Sequence, residues 1–136
     1  AIAAAVAVQM VLTLVEPQSS GIGGGAFLLH HDGRITEAYD GRETAPGEAD
    51  ENLFLDAQGQ PLPFQDALHS GRSVGTPGVL RLLELAHRQH GQLPWARLFE
   101  PAITLAEQGF AVSPRLHTLL AQTPELQRDP VAAEHY

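Results

Sequence analysis

The chain has 136 residues, of which 43% are hydrophobic, and this length fits one globular domain with a modest core. Its formal net charge is −8 at pH 7, and its eight basic residues are scattered arginines, which argues against the concentrated basic surface that nucleic-acid binding needs. Cysteine is absent, which excludes disulfides, thiolate metal sites and a cysteine nucleophile.

The chain opens with an apolar run from Ala1 to Val15 that only Gln9 and Thr13 interrupt. The run is shorter than the roughly 20 residues of a membrane span, and it lacks the basic segment that opens a signal peptide. Alanine favours helix and Pro17 stops it, so we predict a helix that is buried on nearly all sides. Because such a helix needs neighbours and the first residue is not methionine, we expect the chain to be part of a longer protein.

A β-hairpin is predicted next. The polar and glycine-rich segment 18–25 is followed by Ala26 to His31, an apolar run of strand length. Asp32-Gly33 is typical of a two-residue hairpin turn, because both central positions of that turn favour a positive φ. Arg34 to Asp40 is then the returning strand. Residues 42–63 are dense in Pro, Gly, Asp and Glu, which predicts a loop.

The second half of the chain is predicted to be helical. Thr76-Pro77 is typical of a helix N-terminus, and Gly91 is typical of a helix end. Between them, apolar residues that we expect to be buried recur at helical spacing, namely Val79, Leu82, Leu83 and Ala86. Glu84 and Arg88 are expected to pair on the solvent side of this helix.

Three shorter helices are predicted after it, one opening at Pro94-Trp95, one running from Pro101 to Gly109, and one from Ser113-Pro114 to Ala121. In the second of these we expect Ile103, Leu105 and Ala106 to face inward. The polar sequence beyond Thr123 predicts a frayed end. With no internal repeat and no linker, residues 1–136 are predicted to form a single domain of the α+β class.

Arg42 is the strongest candidate for a ligand-binding residue. It follows the predicted hairpin and lies between Asp40 and Glu43. A guanidinium is a planar fork that holds a carboxylate through two parallel hydrogen bonds. The neighbouring acids allow two readings: they pair with Arg42 in a structural ion pair, or one of them binds the amino group of a zwitterionic ligand whose carboxylate Arg42 holds.

The glycine cluster in residues 21–25 precedes a strand, whereas phosphate and dinucleotide loops join a strand to a helix. We therefore interpret these glycines as allowing a turn to pack tightly against the sheet. Ser19 and Ser20 lack the spacing of a nucleophile elbow, so neither is expected to be a nucleophile.

Seven histidines raise the question of a metal site. His30 and His31 are neighbours in a strand and therefore point to opposite faces. Glu84, His87 and His90 can share one face of a helix, but no further ligand stands at suitable spacing. We interpret these three as a solvated helix surface and predict no metal.

Several motifs in fixed order resemble the gamma-glutamyltranspeptidase family across nearly the whole chain. The alanine- and valine-rich helix and Val15-Glu16-Pro17 come first. The motifs that follow are SSGIGGG at 19–25, DGRETAP at 40–46, SVGTPG at 73–78, GQLPW at 91–95 and PAITLAEQGF at 101–110. Together they are far more specific than any one of them.

The resemblance implies part of an N-terminal-nucleophile hydrolase fold, an αββα sandwich, with this chain as the N-terminal part of the large subunit of a proenzyme. It also implies an enzyme that cleaves the gamma-glutamyl amide of glutathione and related compounds, passing the acyl group to water, an amino acid or a peptide. Arg42 matches the arginine that pairs with the α-carboxylate of the glutamyl moiety, and Glu43 is its companion in the motif. No cofactor is implied.

The chemistry of that family uses a threonine freed by self-cleavage, whose hydroxyl attacks the amide carbon while its own amino group acts as base. This chain begins at Ala1, and none of its threonines stands at a chain start. We therefore expect no catalytic residue in residues 1–136. The isolated chain is predicted to be inactive without the remainder of the large subunit and the small subunit.

Gly41 departs from the larger residue that often precedes this arginine, a variant associated with acylase-like relatives. A glutaryl- or cephalosporin-type acylase of the same fold is therefore an alternative, and so is a non-catalytic module of that fold. The compartment is open as well: the resemblance implies a periplasmic or secreted protein, and a cytoplasmic one is the alternative.

Overall fold

The structure is a computed structural model, and it describes residues 1–135. It contains six α-helices, two strands and three short 3-10 helices within those residues. In chain order the helices and strands are α1 (Ile2–Val15), β1 (Ala26–His31), β2 (Thr36–Gly41), α2 (Phe64–Leu68), α3 (Val79–His90), α4 (Glu100–Gln108), α5 (Pro114–Ala121) and α6 (Pro130–His135). The 3-10 helices are Gly71–Ser73, Trp95–Leu98 and Pro124–Arg128.

Contacts between residues divide the chain into two compact units. The first unit consists of residues 1–3 and 22–93, and the second consists of residues 4–21 and the chain from Pro94 onward. The prediction of a single domain over residues 1–136 stays a prediction. Every helix within the described residues is too short or too polar to cross a membrane.

The hairpin of the first unit pairs β1 with β2 in antiparallel register, from Ala26 opposite Gly41 to His31 opposite Thr36. The first strand lies where the sequence predicts it. The prediction of a two-residue turn was wrong, because four residues separate the strands and β2 begins at Thr36 instead of Arg34. Asp32 explains the longer loop: its Oδ1 accepts hydrogen bonds from the backbone N–H groups of Arg34 at 2.7 Å and Ile35 at 2.8 Å.

Helix α3 packs on the inward face of the hairpin. It contacts both strands, and its buried residues are Val79, Leu82, Leu83 and Ala86, as the helical spacing predicts. The inward face of β2 alternates through Glu37, Tyr39 and Gly41, of which Tyr39 is only 8% exposed. Gly41 allows the close approach, since a Cβ there would lie 2.5 Å from the Cβ of Leu82.

The start of α3 differs from the prediction. Helix α3 begins at Val79, after Gly78, whereas the sequence favoured Thr76 as the cap and Pro77 as the first residue. The backbone of Thr76 is engaged elsewhere, because it exchanges two hydrogen bonds with the backbone of Thr44. The carbonyl of Gly24 accepts hydrogen bonds from the first N–H groups at this end, those of Gly78 and Val79.

Most of α1, from Ala4 to Val15, belongs to the second unit. Val6 and Met10 are buried and Val8 is 55% exposed, so the described residues cover only part of the helix, and its burial on nearly all sides stays a prediction for the longer protein. The 3-10 helix at Trp95–Leu98 follows Pro94 as predicted. Helix α4 begins at Glu100, one residue before the predicted start at Pro101, and Gly109 ends it with a φ of 79°.

The remaining helices of this unit agree only in part with the sequence. Ile103 is 50% exposed and Ala106 is also exposed, contrary to the inward placement that the apolar spacing favoured. The Ser113 cap of α5 is confirmed, because its hydroxyl accepts a hydrogen bond from the N–H of Leu116 at 3.1 Å. The segment after Thr123, predicted to be frayed, contains a 3-10 helix and α6.

Candidate functional site

Arg42 directly follows β2 and presents its guanidinium to solvent. The side chain is 65% exposed, and its Nη1 lies 3.0 Å from Oε1 of Glu43. The backbone N–H of Arg42 donates to Oδ1 of Asp40 at 2.9 Å, which fixes the chain where it leaves the sheet. The structure therefore brings together the two site residues that the sequence singled out.

The two side chains line an open cavity of about 230 Å³ in the first unit. Three stretches of chain form its wall: residues 42–46, residues 53–54 and residues 72–75. The backbone pairing of Thr44 with Thr76 ties the first stretch to the third. The cavity is thus a loop-built depression at the end of a strand, with a cationic group at its surface.

Gly25 holds the Arg42–Glu43 segment close to the glycine-rich loop. A Cβ at Gly25 would lie 2.5 Å from the backbone N of Glu43 and 2.7 Å from Cα of Arg42. By contrast, a Cβ at Gly23 or Gly24 would have no neighbour within 4 Å among residues 1–135. The packing interpretation of the glycine cluster is therefore confirmed for Gly25 and does not extend to Gly23 and Gly24.

Glu43 is held on two sides. Its carboxylate lies next to Gly25, and a Cβ at Gly75 would come within 3.1 Å of Glu43 Cγ and 3.0 Å of the Thr44 carbonyl oxygen. Oε1 of Glu43 contacts Arg42, whereas Oε2 is buried and has no hydrogen-bond partner in the described part of the chain. The carboxylate is therefore placed to orient the guanidinium, because one oxygen faces it and the packing at both glycines restricts the side chain.

A second arginine lines the cavity, and sequence reasoning missed it. Nη1 of Arg72 donates hydrogen bonds to the carbonyl oxygens of Leu53 at 3.1 Å and Leu55 at 2.9 Å. These bonds anchor one wall of the cavity. Because the partners are backbone carbonyls in a distant loop, no side-chain motif in the sequence could reveal them.

The helix residues considered as metal ligands do not form a shared site. Glu84 pairs with Arg81 and Arg88, the latter at 3.6 Å, which confirms the predicted Glu84–Arg88 contact. His87 Nε2 lies 2.8 Å from the carbonyl oxygen of Leu93. His90 instead contacts Glu37 of the hairpin, as described below.

Comparison with known proteins gives a consistent result. The family model described as gamma-glutamyltranspeptidase matches residues 1–136. The glutathione hydrolase proenzyme of Bacillus subtilis strain 168 is 44% identical over 114 residues, which cover 82% of this chain and 19% of that protein. The chain thus spans about a fifth of the length of the curated relatives it matches.

Solved structures resemble the chain closely. The crystal structure of Helicobacter pylori gamma-glutamyltranspeptidase superposes with a TM-score of 0.89 at 35% identity, covering 97% of this chain and 38% of that one. The Pseudomonas nitroreducens gamma-glutamyltranspeptidase complexed with L-DON gives a TM-score of 0.84 at 30% identity, covering 92% and 37%. The predicted α+β class and the N-terminal-nucleophile hydrolase fold are confirmed.

Proposed function

Because the chain belongs to the gamma-glutamyltranspeptidase family, we propose that the protein carrying it transfers or hydrolyses gamma-glutamyl amides, with glutathione as a substrate. Residues 1–136 supply part of the large subunit and the recognition of the substrate α-carboxylate. The remainder of the large subunit and a small subunit complete the enzyme. The observation that carries this proposal is the exposed guanidinium of Arg42, which Glu43 holds at the edge of an open cavity.

Arg42 is suited to bind the α-carboxylate. A guanidinium has five N–H donors in a fixed planar fork, and the Glu43 contact involves Nη1. The exposed part of the fork can therefore form two parallel hydrogen bonds to an incoming carboxylate while Glu43 holds the other side. This arrangement supports ligand binding together with the structural ion pair, rather than one of the two alone.

Glu43 is proposed to position Arg42 rather than to bind the substrate ammonium. Its buried Oε2 is turned towards Gly25, and its Oε1 contacts Arg42, so one oxygen is enclosed by packing and the other is engaged by the guanidinium. The sequence suggested that Glu43 contacts the ligand, whereas in this proposal Glu43 acts on the ligand only through Arg42.

The nucleophile is proposed to lie outside residues 1–136. Thr44 lines the cavity, but its nitrogen is an amide that donates a hydrogen bond to the Thr76 carbonyl oxygen. An amide nitrogen cannot act as the base that an N-terminal threonine supplies. Purified alone, the chain should therefore not turn over a gamma-glutamyl anilide, and turnover without any second chain would refute this assignment.

The structure offers another explanation for the glycine at position 41, which in the sequence pointed to an acylase. Its Cβ direction points at Leu82 of α3, so packing against the helix accounts for the glycine and its identity does not alter the cavity lining. The glutaryl acylase is one outcome of the substrate test below, and a full-length protein that turns over neither compound would be the non-catalytic module. No observation in the structure favours either.

Arg42→Lys in the full-length protein tests the proposal. A point ammonium cannot reproduce two parallel hydrogen bonds, and loss of a charge-assisted bond costs about 1.5–3 kcal/mol, or roughly 10- to 150-fold in kcat/KM. Arg34→Lys, in the exposed hairpin loop, is the matched control and should leave kcat/KM unchanged. An Arg42→Lys enzyme with unchanged KM for a gamma-glutamyl anilide would show that Arg42 is structural.

Glu43→Gln separates the two roles of the acid when it is assayed on matched gamma-glutamyl and glutaryl anilides, which differ by the amino group. If Glu43 acts only through Arg42, kcat/KM should fall by a similar factor on both, because both carry the carboxylate. A loss confined to the glutamyl substrate would mean that Glu43 binds the ammonium directly. A wild-type enzyme that prefers the glutaryl compound would establish the acylase instead.

A further inference from the structure

Two histidines and a glutamate converge on the inward face of the hairpin, from three different elements of the first unit. His30 lies on β1, Glu37 on β2 and His90 at the end of α3. One ligand atom from each of the three lies within 4.8 Å of the others. Oε2 of Glu37 is 2.7 Å from Nε2 of His90 and 3.7 Å from Nδ1 of His30.

The cluster is partly shielded and geometrically constrained. The side chains of His30 and His90 are 13% and 24% exposed, and their rings stack with centroids 4.0 Å apart. The lone pair of an imidazole nitrogen lies in the plane of its ring, so the two stacked rings must turn apart before both can bind one ion. The fold therefore gathers the three donors in one place, and the final geometry forms only when the ion binds.

Nδ1 of His30 gives an independent indication of a missing partner. It is buried and has no hydrogen-bond partner among the described residues. Buried polar atoms in native proteins are nearly always satisfied, so an orphaned imidazole nitrogen that faces a carboxylate needs a partner. A cation bound between His30 and Glu37 would supply it.

We propose that His30, Glu37 and His90 bind a divalent transition-metal ion, with zinc as the best fit to the donors. Two imidazole nitrogens and one carboxylate oxygen are a donor set that zinc takes in proteins, at bond lengths of about 2.0–2.2 Å, with water in the remaining position. Ligand atoms of a tetrahedral zinc ion therefore lie about 3.4 Å apart. The 3.7 Å separation fits directly, whereas the 2.7 Å hydrogen bond between Glu37 and His90 must open when the ion binds.

Tyr39 provides an outer contact that would tune the site. Its hydroxyl oxygen lies 2.9 Å from Nε2 of His90, and its O–H donates to Oε1 of Gln89 at 2.5 Å. The hydroxyl can therefore keep its hydrogen bond to Gln89 when Nε2 of His90 exchanges its contact with Glu37 for a metal ion.

Zinc titration of tag-free, chelator-treated full-length protein by calorimetry tests the proposal, with cobalt absorption as a readout of coordination. We expect binding near one ion per chain and visible cobalt bands between about 500 and 650 nm. His30→Gln should weaken zinc affinity at least about tenfold. His31→Gln is the matched control, because that neighbour lies on the opposite, exposed face of the same strand and should leave affinity unchanged.

Two results would overturn the proposal: no zinc binding above the buffer control, or His31→Gln weakening affinity as much as His30→Gln. If His30→Gln does not fold, as judged by circular dichroism, Glu37→Gln replaces it, because it keeps the shape of the side chain. Binding that survives Glu37→Gln and His90→Gln at wild-type affinity would place the metal elsewhere in the protein and would also refute the site.

Discussion

Gly25→Ala tests whether the glycine-rich loop positions Arg42. The added Cβ would lie 2.5 Å from the backbone N of Glu43, about 0.9 Å short of ordinary contact at 3.4 Å, and 2.7 Å from Cα of Arg42. The clash is with backbone, so a change of side-chain rotamer cannot relieve it. The φ of Gly25 is not among the positive values, so the expected effect is steric and not conformational.

The expected loss of stability in Gly25→Ala can be judged from this overlap of about 0.9 Å. Overpacking in a rigid environment costs about 1–3 kcal/mol, and relief here requires the Arg42–Glu43 backbone to move by nearly an ångström, so we expect the upper half of the range. A loss of 2–3 kcal/mol corresponds to roughly 30- to 150-fold in the unfolding equilibrium. The same movement should raise KM for a gamma-glutamyl substrate, because Arg42 moves with its backbone.

Gly24→Ala is the matched control for this experiment. Its Cβ would meet no described residue within 4 Å, so the free energy of unfolding should stay the same or rise by up to about 1 kcal/mol as the unfolded chain loses conformational freedom. Urea unfolding followed by circular dichroism gives the stabilities, and initial-rate kinetics of the full-length protein give KM. Equal effects of the two substitutions would refute the reasoning, because they would show that contact with the Arg42–Glu43 backbone does not matter.

Three further substitutions test local features of the fold by urea unfolding. Hydrogen bonds from the backbone of Ile35 and Arg34 lower the pKa of Asp32 below 3.8, so the ionised carboxylate stabilises the fold above that pH and this stabilisation is lost on further acidification. Asp32→Asn should therefore make the free energy of unfolding less dependent on pH below about pH 4. An unchanged pH dependence in that range would contradict this prediction. Ser113→Ala should cost about 1 kcal/mol by removing the α5 cap, and Ser113→Asn should restore it. Leu82→Ala should lower the free energy of unfolding by about 2–5 kcal/mol, because Leu82 is only 4% exposed. Leu85 is 43% exposed, so Leu85→Ala is the control and should lower it far less. Similar losses for the two variants would mean that Leu82 is not a core residue.

Local sequence signals predicted the elements whose determinants are local. The apolar run Ala26 to His31 is a strand, the helical spacing of Leu82 and its neighbours marks the buried face of α3, and Ser113 caps α5. The misplaced limits have non-local or side-chain causes. Helix α3 starts late because the backbone of Thr76 pairs with Thr44, which is far away in the sequence.

The candidate site was predictable only in part, for the same reason. Arg42 and Glu43 are adjacent, so a short motif could reveal both. Arg72 reaches the cavity from a loop and bonds to carbonyl oxygens, which leave no trace in side-chain patterns. The histidine cluster was missed because the spacing search considered ligands on one helix, whereas His90 finds its partners on two strands.

The proposed metal site and the Arg42 cavity share the hairpin, which makes their independence testable. In the hairpin, the paired residues Glu37 and His30 lie four residues away from the paired residues Gly41 and Ala26, which are next to Arg42. At the rise per residue of a β-strand, the two sites are therefore about 14 Å apart along the strands. At physiological salt this separation exceeds the screening length of about 8 Å, so a bound dication should change KM for a gamma-glutamyl substrate by less than about twofold. The assay measures KM of wild type with and without saturating zinc, and repeats it with His30→Gln. A larger KM change that His30→Gln abolishes would contradict independence and would mean that the hairpin couples the two sites. Where the coupling acts on binding, zinc and substrate must change each other's dissociation constants by the same factor.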